Sequence, residues 1–148
     1  MGSLVLPSSG TVFFDTQIAI YAVERHPVYA ALVRPLWLAG QTGNVQLAAS
    51  ELIILETLVG PLRGGSKQTE RDYETLWQSG VIRLAPVSQV VLRMAAELRA
   101  KYHSLRTPDA IHAATAILAG ASLLVTNDYN LRQVAELRIA VLNDLIAP

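Results

Sequence analysis

Short apolar runs alternate with longer stretches of helical periodicity along this chain. Val12 to Phe14, Val45 to Ala48, Val81 to Leu84, Leu123 to Thr126 and Ile139 to Leu142 read as strands. A helix is expected after the first of them, with Ile18, Ala22 and Val23 on one side. Pro27 and Pro35 punctuate the segment that follows. Ser50 is a good N-cap for a helix through about Val59, stopped by Gly60-Pro61. Arg63 to Lys67 reads as a loop, and Thr69 to Gln78 as a polar-faced helix carrying Tyr73, Leu76 and Trp77. Ser88 caps a helix to about Tyr102 with Val91, Met94, Ala95 and Leu98 at helical spacing. Thr107-Pro108 opens a further helix that ends at Gly120, and a short one covers Leu131 to Leu137. Strand and helix in alternation predict an α/β fold, a parallel sheet with helices on both faces. Such sheets place ligands at the carboxyl ends of their strands, near a topological switch point.

Composition narrows the class. A chain of 148 residues fits one domain with a real core; 51% are apolar and 16% charged, which excludes disorder and implies large buried or partner-covered surfaces. With no cysteine there is no disulfide framework, thiolate site or cysteine nucleophile, as a reducing cytoplasm allows. Met1 to Gly10 lacks the marks of a signal peptide, and no apolar run approaches the ~20 residues of a membrane span. The net formal charge is zero, so the chain is not a generally basic nucleic-acid coat.

Four acids stand out against this apolar background: Asp15, Glu56, Asp109 and Asp128. A buried, unpaired carboxylate costs roughly several kcal/mol unless it is protonated, paired or bound to a cation. Asp15 and Asp128 close apolar strands; each also suits a helix cap or turn. The hydroxyl of Thr16 is placed to orient Asp15 or a water. Asp109 sits in the first turn of a charge-poor helix, where the helix dipole already favours it. Glu51 and Glu56 share a helix but lie five residues apart, about 140° around it. Glu56, flanked one turn away by Leu52, Ile53, Val59 and Gly60, is the better ligand; Glu51, in the first turn, is the reserve. His112 on its apolar helix reads first as a hydrogen-bonded core residue, and Asp144 as structural. Convergence of the four acids would make an oxygen-rich site for a hard divalent cation.

The blocks Phe14-Asp15-Thr16, Leu55-Glu56-Thr57-Leu58-Val59-Gly60, Pro108-Asp109-Ala110-Ile111-His112-Ala113-Ala114-Thr115 and Thr126-Asn127-Asp128 resemble, in order and spacing, the signature blocks of PIN domains. Within them the chain is most similar to the VapC-like toxins of toxin–antitoxin pairs. The resemblance implies a single PIN-like domain with its core over about residues 12–144 and a central parallel sheet of about five strands. It implies a Mg²⁺- or Mn²⁺-dependent ribonuclease site made by Asp15, Glu56, Asp109 and Asp128, with Thr126 beside it. It also implies a cognate antitoxin and a homodimer as partners.

Arg63, Lys67, Arg71, Arg106 and Arg132 are candidate contacts to RNA phosphates. An aspartyl phosphotransferase is disfavoured because the position two residues after Asp15 is Gln17. A PIN nuclease of RNA processing without an antitoxin, and a non-catalytic PIN-like interaction module, are the alternatives.

Overall fold

The computed structural model describes residues 2–146. Met1 and residues 147–148, the extreme ends of the expected single domain, lie outside the described residues. The chain starts in the middle of its sheet. Strand β1 (Thr11–Phe14) leads into α1 (Thr16–Val23) and α2 (Tyr29–Gln41), and β2 (Gln46–Ser50) into α3 (Leu52–Gly64) and α4 (Lys67–Gln78). β3 (Ile82–Ala85) is followed by α5 (Gln89–Lys101) and α6 (Thr107–Leu118). The chain then crosses to β4 (Leu123–Thr126), a 3-10 turn over Tyr129–Gln133, β5 (Ile139–Val141) and a last 3-10 turn over Leu142–Leu145.

All strand pairs are parallel, in the order β3-β2-β1-β4-β5. Phe13 pairs with Ala48 on one side and with Leu124 on the other. The period-two alternation of strands therefore divides the core cleanly. Val12, Phe14, Leu47, Ala49, Leu123 and Val125 face α1, α2 and α3. Phe13, Ala48 and Leu124 face the buried sides of α5 and α6. β4 is buried along its whole length, as a central parallel strand covered on both faces should be.

Three elements depart from the sequence-based expectation: the short helix expected over Leu131 to Leu137 is a 3-10 turn over Tyr129–Gln133, and two more depart at prolines. Pro35 does not interrupt the chain; it lies inside α2. The carbonyl that loses its partner belongs to Ala31, and both residues are exposed, so water satisfies it while Leu32, Val33 and Leu36 bury the opposite face. Likewise Gly60-Pro61 does not stop α3. The helix runs on through Arg63 to Gly64, because Ile53, Thr57 and Pro61 form one buried stripe. It ends at Gly65, whose φ of 70° only glycine adopts freely. The expected Arg63–Lys67 loop shrinks accordingly, and Ser66 caps α4 by accepting from the Thr69 N–H. Gly40 has a different reason to be glycine. A Cβ there would fall 2.5 Å from Leu47, so α2 reaches the sheet only without one.

Strand order creates the site. β1 and β4 are neighbours, yet the chain leaves their carboxyl ends in different directions, toward β2 after β1 and toward β5 after β4. That divergence is the switch point, and residues directly after both strands border it.

Candidate active site

Asp15 follows β1 directly, and its N–H extends the ladder by donating to Val125 O at 3.3 Å. The side chain turns into the molecule. Its Oδ2 accepts a hydrogen bond from the Thr126 hydroxyl, while Oδ1 is buried with no partner. Burial pushes the Asp15 carboxyl up to about 6 from 3.8, against the lowering pull of Thr126 and His112. Capping does not explain this residue, since Asp15 makes no side-chain cap bond to α1.

Thr126 links two acids. Its hydroxyl donates to Asp15 and accepts the Asp128 N–H at 3.0 Å. Asp128 Oδ1 in turn accepts the Asn130 N–H at 2.9 Å, capping the 3-10 turn. That leaves Oδ2 for Arg106, 3.5 Å from its Nη2. Arg106 Nε also contacts Asp109 Oδ2 at 3.2 Å, so one guanidinium spans both carboxylates. Asp109 lies in the first turn of α6. Burial and the nearby Asp128 charge raise its carboxyl, and the raise survives the opposing effect of Arg106.

Glu56 projects from α3 toward the same place. Its Oε1 accepts the Thr16 hydroxyl at 2.6 Å and lies 2.7 Å from His112 Nε2. Burial alone would raise this carboxyl, but the hydrogen bonds from His112 and Thr16 outweigh it and hold it below the ordinary glutamate value. An ionised carboxylate only accepts, so Nε2 carries the proton. Nδ1 of the same ring is buried without a partner.

These residues line one cleft of about 660 Å³, together with Gln17, Tyr21, Asn127, Tyr129 and Asn130. The structure thus brings Asp15, Glu56, Asp109 and Asp128 to one opening. Glu51 is exposed at the capping position of α3 and does not line it. One expectation holds with an addition and two change. His112 is buried, as a core histidine would be, but it also touches Glu56. Thr16 serves Glu56, not Asp15. Of the five candidate cations only Arg106 lines the cleft; Lys67 pairs with Glu70, Arg71 contacts Gln68, and Arg132 pairs with Asp144. Sequence reasoning passed over Tyr129 and Asn130, whose available signal was their position directly after Thr126-Asn127-Asp128.

The donor set suits a hard divalent ion. It is oxygen-rich, and Asp15 Oδ1 is a buried oxygen without a hydrogen-bond partner. Arg106 already supplies positive charge to two of the acids. As they stand, no three of these groups are close enough among the described residues to grip one ion directly. Mg²⁺ keeps several of its waters, so direct contact with three carboxylates is not required of the site.

No curated protein matches the chain. Among solved structures, VapBC2 from Rickettsia felis, bound to a DNA fragment from its promoter, is similar at 23% identity and TM-score 0.68, covering 88% of this chain and 98% of that one. Mycobacterium tuberculosis VapC20, a Sarcin-Ricin loop cleaving toxin, is similar at 18% identity and TM-score 0.69 over 86% and 98%. FitAcB from Neisseria gonorrhoeae is similar at 21% identity and TM-score 0.68 over 90% and 99%. At these identities the likeness is one of fold. The sequence model described as PIN domain matches residues 12–137, a span that opens at β1, closes beyond the 3-10 turn and holds all four acids, so the chain belongs to the PIN domain family.

Proposed function

We propose that this protein is a Mg²⁺- or Mn²⁺-dependent endoribonuclease, and that it is the toxin of a toxin–antitoxin pair acting in the cytoplasm. The observation that carries the reading is the convergence of four carboxylates on one cleft where one buried oxygen lacks a partner. Asp15 and Asp109 would hold the ion directly, with Glu56 and Asp128 completing a second site or holding waters. When bound, a divalent ion would activate a water and neutralise charge that develops on the phosphate.

The chain's own residues have definite tasks in this reading. Thr126 fixes Asp15 through Oδ2 and leaves Oδ1 without a partner. Thr16 and the His112 Nε2 proton keep Glu56 ionised and oriented. Arg106, 72% exposed, is free to leave the carboxylates and contact a phosphate oxygen. No nucleophilic side chain is needed, consistent with a chain that lacks cysteine.

Exposed apolar surface supports the partner reading. Ile54, Leu55 and Leu62 of α3 are exposed large apolar side chains, as are Val90 and Leu92 of α5. Such surface supports a covering partner, here a second copy of the chain and an antitoxin segment. The antitoxin reading draws on the fold likeness to VapBC2 and FitAcB. No helix among the described residues is long and apolar enough to cross a membrane.

The test is direct. Purified protein, freed of any co-purified inhibitor, is incubated with total RNA and Mn²⁺ or Mg²⁺, with and without EDTA. Cleavage that EDTA abolishes supports the reading; cleavage indifferent to EDTA, or none, overturns it.

A further inference from the structure

Tyr129 stands at the mouth of the acid cleft and has no part in the chemistry described above. It follows Asp128 directly, opens the 3-10 turn and lines the cleft. Its side chain is 48% exposed. A half-solvated ring is normally free to rotate, but this one is held from behind. The Arg132 guanidinium lies over one face, 4.6 Å from the ring centroid. Arg132 is itself ion-paired to Asp144, and the tyrosine hydroxyl reaches Asp144 Oδ1 at 3.4 Å. One face is therefore occupied and the hydroxyl is tethered, in a residue that is half-exposed and lines the cleft.

The charge of the cleft gives this ring its significance. Four carboxylates and one arginine line the opening, so electrostatic attraction to a polyanion is weak there. A single-stranded RNA needs a different grip beside the acids, and base–aromatic stacking supplies one that ionised groups do not oppose.

We propose that the Tyr129 ring is the stacking platform for a nucleobase flanking the phosphate that enters the four-acid cleft, braced by Arg132 and Asp144. It positions substrate and takes no part in proton transfer. This rests on the ribonuclease reading of the same cleft.

The experiment compares wild type with Tyr129→Phe, Tyr129→Leu and Tyr129→Ala. Binding of a labelled single-stranded RNA is read by fluorescence anisotropy in EDTA, and steady-state cleavage with Mn²⁺. Tyr129→Phe keeps the ring and should bind within about twofold of wild type. Tyr129→Leu and Tyr129→Ala should bind at least about tenfold more weakly, with KM raised by a similar factor and kcat within about threefold. Thermal melts check that each variant is folded, and Tyr129→Leu keeps the bulk where alanine does not. An RNA made abasic next to the mapped cleavage point should erase the difference between wild type and Tyr129→Ala. Equal binding by wild type and Tyr129→Ala, an equal loss in Tyr129→Phe, or a gap that persists on the abasic RNA would each overturn the stacking role alone. A wild type that neither binds nor cleaves RNA overturns the ribonuclease reading, and the platform with it.

Discussion

The two halves of the cleft, an inner one served by buried threonine and histidine donors and an outer one served by an exposed arginine, hold two carboxylates each and treat them in opposite ways. Asp15 and Glu56, the inner pair, are held by hydroxyls from Thr126 and Thr16 and by His112, with no lysine or arginine ion-paired to either among the described residues. Asp109 and Asp128, the outer pair, share the guanidinium of an exposed arginine. Hydroxyl donors orient a carboxylate but leave its charge largely uncancelled. An exposed cation cancels charge but is easily displaced. The inner half thus keeps an electrostatic deficit in place, and the outer half keeps its compensation removable. Together they describe a site prepared to accept a cation from solution.

The sharpest way to break this contrast is at the inner pair. Asp15→Asn, and separately Glu56→Gln, should lower the initial rate of Mn²⁺-dependent RNA cleavage by on the order of 10²–10³-fold. Rates within tenfold of wild type would mean that the inner acids serve structure only.

Stability should move the other way. The folded Asp15 carboxyl at about 6 lies above the 3.8 of an unstructured aspartate, so the folded state holds the proton more tightly. Its stabilising contribution is full below pH 3.8 and is lost as pH rises through about 6. In EDTA at pH 8, Asp15→Asn should therefore be more stable than wild type by up to about 3 kcal/mol, with the gap closing toward pH 4. Urea unfolding of both proteins across that range measures it, and a gap independent of pH would refute the buried charge.

Thr126→Val removes a hydroxyl that serves Asp15 and Asp128 at once. A cost of about 1–3 kcal/mol at pH 8 is expected in chemical unfolding, because buried groups lose their partner. It should also raise the Asp15 carboxyl further, since Thr126 holds it down.

The smallest effect belongs to the outer half. Arg106→Gln should lower by a few-fold the Mn²⁺ concentration at which the thermal midpoint begins to rise, because a competing cation is gone. An unchanged or higher midpoint concentration would show that Arg106 does not compete with the ion.

Much of this architecture was legible in the chain. Five apolar runs separated by helical periodicity identify the sheet and its covering helices, and strand-closing acids such as Asp15 and Asp128 mark the sheet edge at which the cleft opens. The 100° helical step separated Glu56 from Glu51, because helix faces follow from local geometry alone. Prolines misled where burial on the opposite face outweighed one lost hydrogen bond, as at Pro35 in α2 and Pro61 in α3. His112 was hidden for a related reason: the same apolar surroundings suit a core residue and a residue that orients a carboxylate.

By itself, the sequence determined which residues end strands, which face a helix buries and which four carboxylates are out of place among apolar neighbours. Only the tertiary structure decided who serves whom. Thr126 holds Asp15 across 111 positions and Thr16 holds Glu56 across 40. Both pairings depend on β1 lying between β2 and β4. Periodicity reports which way a side chain points along its own element, but it carries no information about which strand becomes its neighbour. The unpartnered oxygen of Asp15, the shared arginine and the braced ring of Tyr129 exist only once that order is set.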